Sequence, residues 1–228
     1  MRRFLNRARI LAGISLSFAL IGLTAWLFVL VWRPATADFP VQGAYVSAEQ
    51  GPIDWFTLRA NGASFAYIVA TTGVERPDHR FSANWTGSFQ ADIRHSAVHR
   101  FSLCRLARDQ AWHFTRIIPA SKDALPAALE LHFRADCRDR PERRVVIGEI
   151  ETFLRIAEAH TDKPMILKIA PSFERHYHVS RAIRRPLWAE QSFYPPEYLT
   201  RPWQLWQASS LHRVAGANRT LGWVVAAR

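Results

Sequence analysis

Leu125-Pro126-Ala127-Ala128-Leu129-Glu130-Leu131-His132-Phe133 is the stretch whose reading decides the fold. Pro126 cannot continue a helix and presets an extended entry. A short apolar run follows and ends in two titratable side chains, Glu130 and His132. Side chains two apart on a strand face the same way, so these two project together from one strand end, about 7 Å apart at Cα. Two proton-transfer groups on one rigid edge suit acid–base chemistry on a glycoside, ester or amide. The plainer alternative is structural: Glu130 paired with a nearby arginine and His132 a satisfied imidazole, because ion pairs gather such groups too.

The flanking sequence alternates strands with helices. Upstream, Phe39–Val46 is extended, and Gly51–Trp55 is a turn feeding a short helix that Asn61-Gly62 stops. Phe65–Ala70 is a buried strand. Phe81–Ala91 is a helix with Phe81, Trp85 and Phe89 on its core face. Ala97–Leu103 is a strand and Arg108–Ile117 a helix. Downstream, Arg144–Ala159 is the most regular helix, with Val145, Ile147, Ile150, Phe153, Leu154 and Ala157 on one face. Pro164–Ala170 is a strand and Ser172–His178 opens another helix. Then come short extended pieces, Leu187–Ala189, Gln204–Gln207 and Trp223–Ala226, joined by loops. Strand–helix alternation followed by bare strands predicts an α/β fold in which a parallel sheet rolls toward a barrel. Sites in such barrels lie at the C-terminal strand ends, where Glu130 and His132 sit.

The N-terminus is of another kind. Arg2, Arg3, Arg7 and Arg9 precede an uncharged run from Ile10 to Trp32, long enough as a helix to cross a hydrocarbon core of about 30 Å. The arginines place the N-terminus in the cytoplasm. Residues 1–9 are read as a cytoplasmic basic tail, 10–32 as a signal anchor in the inner membrane, 33–38 as a linker and 39–228 as one periplasmic domain. Ala35-Thr36-Ala37 resembles a signal-peptidase site, so secretion after cleavage at Ala37 is the alternative, although the apolar run exceeds the usual core of about 7–15 residues.

Five of the 30 basic residues and none of the 19 acidic ones fall in the first 37 positions, leaving 25 against 19 in the exported part. A basic exported surface suits an anionic polymer such as cell wall, or anionic lipid heads. Nucleic acid is not an expected partner, since no basic-aromatic nucleic-acid motif occurs. The two cysteines, Cys104 and Cys137, lie in a chain read as exported, where disulfides persist. They are expected to form a bridge that closes a loop of about 33 residues and stabilises by about 3–4 kcal/mol. The histidines form no metal-binding motif, and neither a metal nor a cofactor is expected.

Several motifs in order resemble glycoside hydrolase family 25, the Chalaropsis-type lysozymes or N-acetylmuramidases. Gly43-Ala44-Tyr45-Val46-Ser47 with Gln50-Gly51-Pro52-Ile53-Asp54-Trp55 is similar to the family's opening. Asp78, Phe81 and Asn84, then Val98-His99-Arg100-Phe101, Leu125–Glu130, Lys163–Leu167, Pro186-Leu187-Trp188 and Trp206-Gln207 resemble later motifs. The resemblance implies an irregular TIM-like (β/α)5β3 barrel with a glycan groove at the strand C-termini. The family site is carboxylate-rich, because a glycosidase needs one acid for the leaving oxygen and a second negative group at the sugar centre. At the family's acidic positions this chain has Tyr45, Glu130, His132 and, by alignment, Gly222. Glu130, His132 and Tyr45 are therefore the catalytic candidates. Tyr67, His99, Trp188, Trp206 and Gln207 are the expected glycan contacts, by stacking and hydrogen bonding. Glu49 or Glu190 is a neighbour that could replace a missing carboxylate. The expected function is a membrane-anchored protein that binds peptidoglycan with weak or no hydrolysis. The alternatives are an active N-acetylmuramidase using Glu130 and His132, and different chemistry on the same barrel. A protein partner is left open.

Overall fold

The structure, a computed structural model, describes residues 2–75 and 77–227. The side chains of the basic cluster Arg2, Arg3, Arg7 and Arg9 lie outside the described residues. Eight strands close into a barrel in sequence order: β1 (Gln42–Val46), β2 (Phe65–Thr72), β3 (Arg94–Arg100), β4 (Ala128–Leu131), β5 (Ile166–Ile169), β6 (Leu187–Glu190), β7 (Leu205–His212) and β8 (Leu221–Ala226). Strands β1 to β7 run parallel. Strand β8 is antiparallel to both of its neighbours. An α1 helix (Arg2–Val31) precedes the barrel. The connections after β1 to β5 carry α2 (Trp55–Ala60), α3 (Phe81–Gln90), α4 (Ala107–Ile117), α5 (Arg143–Thr161) and the pair α6 (Pro171–Tyr177) and α7 (Val179–Ala182). No helix separates β6, β7 and β8 among the described residues. This is the (β/α)5β3 arrangement that the resemblance implied, and the barrel toward which the alternation pointed.

The strands read as nearly continuous apolar runs because both of their faces are covered. In β2 every residue from Phe65 to Thr71 is buried. One core layer lies between barrel and helices, with Ile150, Phe153 and Leu154 of α5 packed over it. A second fills the barrel itself with Tyr67, Val98, Ala128, Ile166, Trp188, Leu205 and Val224. Local signals set the entries to these layers. The Asp54 side chain caps α2 by accepting from the Thr57 backbone N–H, satisfying a donor that the first helical turn leaves free. The Cys104–Cys137 disulfide forms as expected and ties the β3–α4 loop to the β4–α5 loop.

Within α1, Gly13–Val31 is apolar enough to cross a membrane, with a mean hydropathy of 2.3, and none of it is buried against the barrel. The residues read as a linker, 33–38, do not hang free. The Trp32 ring meets Phe193 at 5.0 Å, and the Arg213 N–H donates to the Leu30 carbonyl at 2.7 Å. Arg33 lies over Trp223 at 5.3 Å and donates to the Asn61 carbonyl. Gln42 Nε2 donates to the Pro34 carbonyl at 3.0 Å.

Candidate functional site

Strand parity builds the barrel mouth. The middle of the barrel holds Val98, Ala128, Ile166, Trp188 and Leu205. Two residues further along each strand, the same inward face presents Arg100, Glu130, Lys168, Glu190 and Gln207. Tyr45 joins them from β1 and Gly222 from β8. Together they floor a cavity of about 770 Å³, walled by Ser47, Glu49, His132, Arg134 and Asp136.

The floor is one hydrogen-bonded network. The Tyr45 hydroxyl donates to Glu130 Oε2 at 2.6 Å. Arg100 Nε donates to the Tyr45 oxygen at 3.0 Å and to Glu130 Oε2 at 3.2 Å. Lys168 Nζ donates to Glu130 Oε1 and to Glu190 Oε2, each at 2.7 Å. Arg100 also reaches Glu49 at 3.1 Å. Lys168 is 2% exposed and Glu130 12%, so these contacts sit in a medium that screens them weakly. Burial alone would raise the Glu130 pKa, but the charges of Lys168 and then Arg100, with the hydrogen bonds from Lys168 and Tyr45, outweigh it and bring it down to about 2. Burial would also lower Lys168, yet Glu130 and Glu190 hold it well above its ordinary range. Burial, then the Glu130 charge, keeps the Tyr45 phenol protonated far above its usual range.

Gly222 is explained by Tyr45, its register partner. A Cβ at 222 would lie 3.0 Å from Tyr45 Cβ and 3.1 Å from its Cδ1. The large ring at 45 and the missing side chain at 222 are one packing solution rather than two independent changes.

The expected site residues divide. Strand β4 ends at Leu131, so His132 stands just past it, exposed at the cavity wall. The partners of Glu130 among the described residues are Tyr45, Arg100 and Lys168; the structural His132–Glu130 pair weighed from sequence is not among them. Gln207 reaches the cavity, its Nε2 donating to Ser210 Oγ at 2.7 Å and its buried Oε1 without a partner. Tyr67 and Trp188 face inward but one layer too deep: Trp188 is wholly buried, 4.8 Å from the Tyr67 ring. Tyr67 borders a cavity at the opposite, N-terminal end of the barrel. His99 and Trp206 have the other parity and point outward. His99 stacks on Phe153 at 4.6 Å and bonds to Thr71 and Gln110, and burial brings its pKa down to about 3. Trp206 packs against Phe39 and Trp203. These four do not reach the mouth cavity.

Lys168 and Arg100 went unnoticed in the sequence. The usable signal was parity: with Glu130 inward, the residue two beyond an apolar inward position on each neighbouring strand is inward too. Glu190, weighed as a replacement acid, does come to the site. Its carboxylate and that of Glu130 share Lys168 Nζ, each at 2.7 Å, so their nearest oxygens lie no farther apart than twice that distance.

Comparison with known proteins agrees with this barrel. Residues 45–217 match the family model described as glycosyl hydrolases family 25. A family 25 glycosyl hydrolase from Bacillus anthracis superposes with a TM-score of 0.78 at 28% identity, covering 85% of this chain and 91% of that one. The bacterial lysozyme from Streptomyces coelicolor gives 0.70 at 26% identity, over 81% of this chain and 90% of that one. Lysozyme M1 of Streptomyces globisporus is 49% identical over 59 residues, which span 26% of this chain and only 20% of that protein. The chain belongs to glycosyl hydrolase family 25.

Proposed function

We propose that this chain is a membrane-anchored family member that holds peptidoglycan glycan strands in its mouth cavity and cuts them weakly or not at all. Residues 10–32 serve as a retained single-pass anchor with the N-terminus in the cytoplasm, and residues 39–228 as the periplasmic domain. One observation carries the catalytic half of this reading: both oxygens of Glu130 already accept hydrogen bonds, Oε1 from Lys168 and Oε2 from Arg100 and Tyr45, and the group stays ionised. A glycosidase needs a carboxylic acid that is protonated at working pH to release the leaving oxygen. Glu130 has neither that proton nor a free oxygen to offer. The Tyr45 phenol spends its own proton on Glu130 and cannot become a phenolate nucleophile at neutral pH. The cavity itself supports binding, since it is lined by Ser47, Gln50, Gln207 and Ser210, polar side chains of the kind that hydrogen-bond sugar hydroxyls or acetamido groups.

Active N-acetylmuramidase chemistry is the second reading, favoured by the convergence of Glu130 and Glu190 on Lys168. The shared Lys168 contact brings the two carboxylates within the reach that retaining glycosidases need, where the two carboxyl groups stand about 5–5.5 Å apart. The ammonium between them argues against it, because it holds a hydrogen bond to each carboxylate and favours the ionised form of Glu130 over the protonated acid that the reaction needs.

Incubation of the full chain in detergent with insoluble peptidoglycan separates the readings. Co-sedimentation without soluble muropeptides is expected. Release that disappears in both Glu130→Gln and Glu190→Gln would establish the hydrolase instead.

A further inference from the structure

We propose that the barrel stands mouth-down on the bilayer, with the rim of its cavity against anionic lipid headgroups. The inference takes α1 as a membrane span and deepens the glycan-binding reading: saccharide meeting the cavity is then still at the membrane surface, as a lipid-linked or newly extruded chain is.

The direction in which α1 leaves the barrel is the first observation. All seven parallel strands point to the mouth, so the residue following β7 marks the mouth end and the start of β1 marks the base. Leu30 contacts Arg213, just beyond the mouth end of β7. Trp32 contacts His212, the last residue of β7, and Phe193, in the mouth-side loop after β6. Arg33 then meets Trp223, one step further down β8. Pro34 meets Gln42 at the base end of β1, and Phe39 packs on Trp203 just before β7. The chain therefore descends the barrel wall from mouth to base, and the helix arrives from the mouth side. With the junction pinned at each of these points, the domain lacks the slack to turn over.

The character of the rim is the second observation, and it is independent of α1. Several large apolar side chains are exposed at mouth-side ends: Phe56 (65%) in the first turn of α2, Leu106 (59%) before α4, Val145 (50%) in the first turn of α5, Tyr194 (70%) in the loop after β6 and Leu211 (42%) near the end of β7, while Val41, Phe89 and Trp112 are exposed elsewhere on the domain. Exposed cations share this rim, among them Arg138, Arg213 and Arg219. Of the acids on these loops, Glu75 and Asp136 pair with Arg105 and Arg134, while Asp139, Glu142 and Glu197 are exposed among the arginines. Scattered apolar groups among arginines match an anionic interface, where the rings and chains enter the headgroup boundary and the basic residues are attracted to the lipid charge.

The test uses the full chain reconstituted into phosphatidylglycerol-containing vesicles whose headgroups carry a nitroxide quencher. Single cysteines at the rim (Tyr194→Cys) and near the base end of α3 (Phe89→Cys, 70% exposed in the native residue) are labelled with a fluorophore, leaving the native disulfide oxidised. Several-fold stronger quenching at 194 than at 89 is expected, with the contrast reduced by the combined Arg138→Glu, Arg213→Glu and Arg219→Glu changes. Equal quenching, or stronger quenching at 89, would overturn the orientation, as would a chain that fails to stay with the vesicles. No glycan enters this measurement, so it stands or falls separately from the peptidoglycan sedimentation.

Discussion

Replacing Lys168 with methionine removes the charge on which the mouth network turns while keeping much of the stem's bulk. Its side chain is 2% exposed, and its Nζ is bonded at 2.7 Å to both Glu130 and Glu190 and lies 4.8 Å from the centre of the Tyr45 ring. The variant leaves two neighbouring carboxylates with Arg100 as the remaining cation on Glu130. Breaking a buried pair in this way costs about 3–5 kcal/mol, which for a domain of this size lowers Tm by about 6–20 °C at pH 7. The pH dependence has a definite sign. The folded Glu130 pKa, about 2, lies below the ordinary 4.5. Its contribution to stability is therefore complete above about 4.5 and fades as pH falls toward 2. The gap between native and Lys168→Met proteins should narrow across that window. Thermal unfolding of the full chain in detergent, followed by tryptophan fluorescence at pH 7 and pH 3, measures both quantities. A penalty below about 1 kcal/mol, or one identical at the two pH values, would refute the claim that Lys168 holds Glu130 ionised.

Gly222→Ala should destabilise by about 1–3 kcal/mol through overpacking against Tyr45, and much of that cost should vanish in a Tyr45→Gly background, which removes both the Cβ and the ring that the new methyl would meet; additive costs in a double-mutant cycle would break the proposed link between the two positions. Cys104→Ser with Cys137→Ser should cost about 2–5 kcal/mol and weaken peptidoglycan retention, since the bridge anchors the loop carrying Arg134 and Asp136 at the cavity wall; unchanged retention would show that this wall does not touch glycan. Burial brings His99 to about 3 and His212 to about 4, below their ordinary 6.5. The unfolded chain thus binds protons that the folded one does not, and stability should fall as pH drops below about 6.5. A lower urea midpoint at pH 5 than at pH 7, with a smaller difference in His99→Gln, is the expected result; equal midpoints would contradict it.

The barrel was legible because its strands are apolar on both faces and α5 carries a clean stripe, so element type survives without any knowledge of partners. The bare strands after α7 also announced themselves through the loss of helical periodicity. Register was what the sequence hid. Whether a strand-end residue looks into the mouth depends on parity and depth, and both are set by register with neighbours distant in sequence. Trp188 has the right parity but sits one layer down; Trp206 and His99 have the wrong parity. His132 has the right parity, but β4 stops one residue before it, releasing it to the wall. Lys168 lay concealed in Ile166-Leu167-Lys168-Ile169, where a lysine reads as an interruption of an apolar strand until two glutamates from adjacent strands are seen to enclose it.

Carboxyl-carbon NMR of the glutamate-labelled full chain, with Glu130 assigned by its loss in Glu130→Gln, asks most directly whether a protonated acid exists at the mouth. The expected result is a Glu130 signal that stays in its ionised position from neutral pH down through pH 4 and moves only toward about 2. A Glu130 signal titrating between about 5 and 7, the range to which glycosidases tune their acid, would contradict the account and return the chain to the working hydrolases of its family.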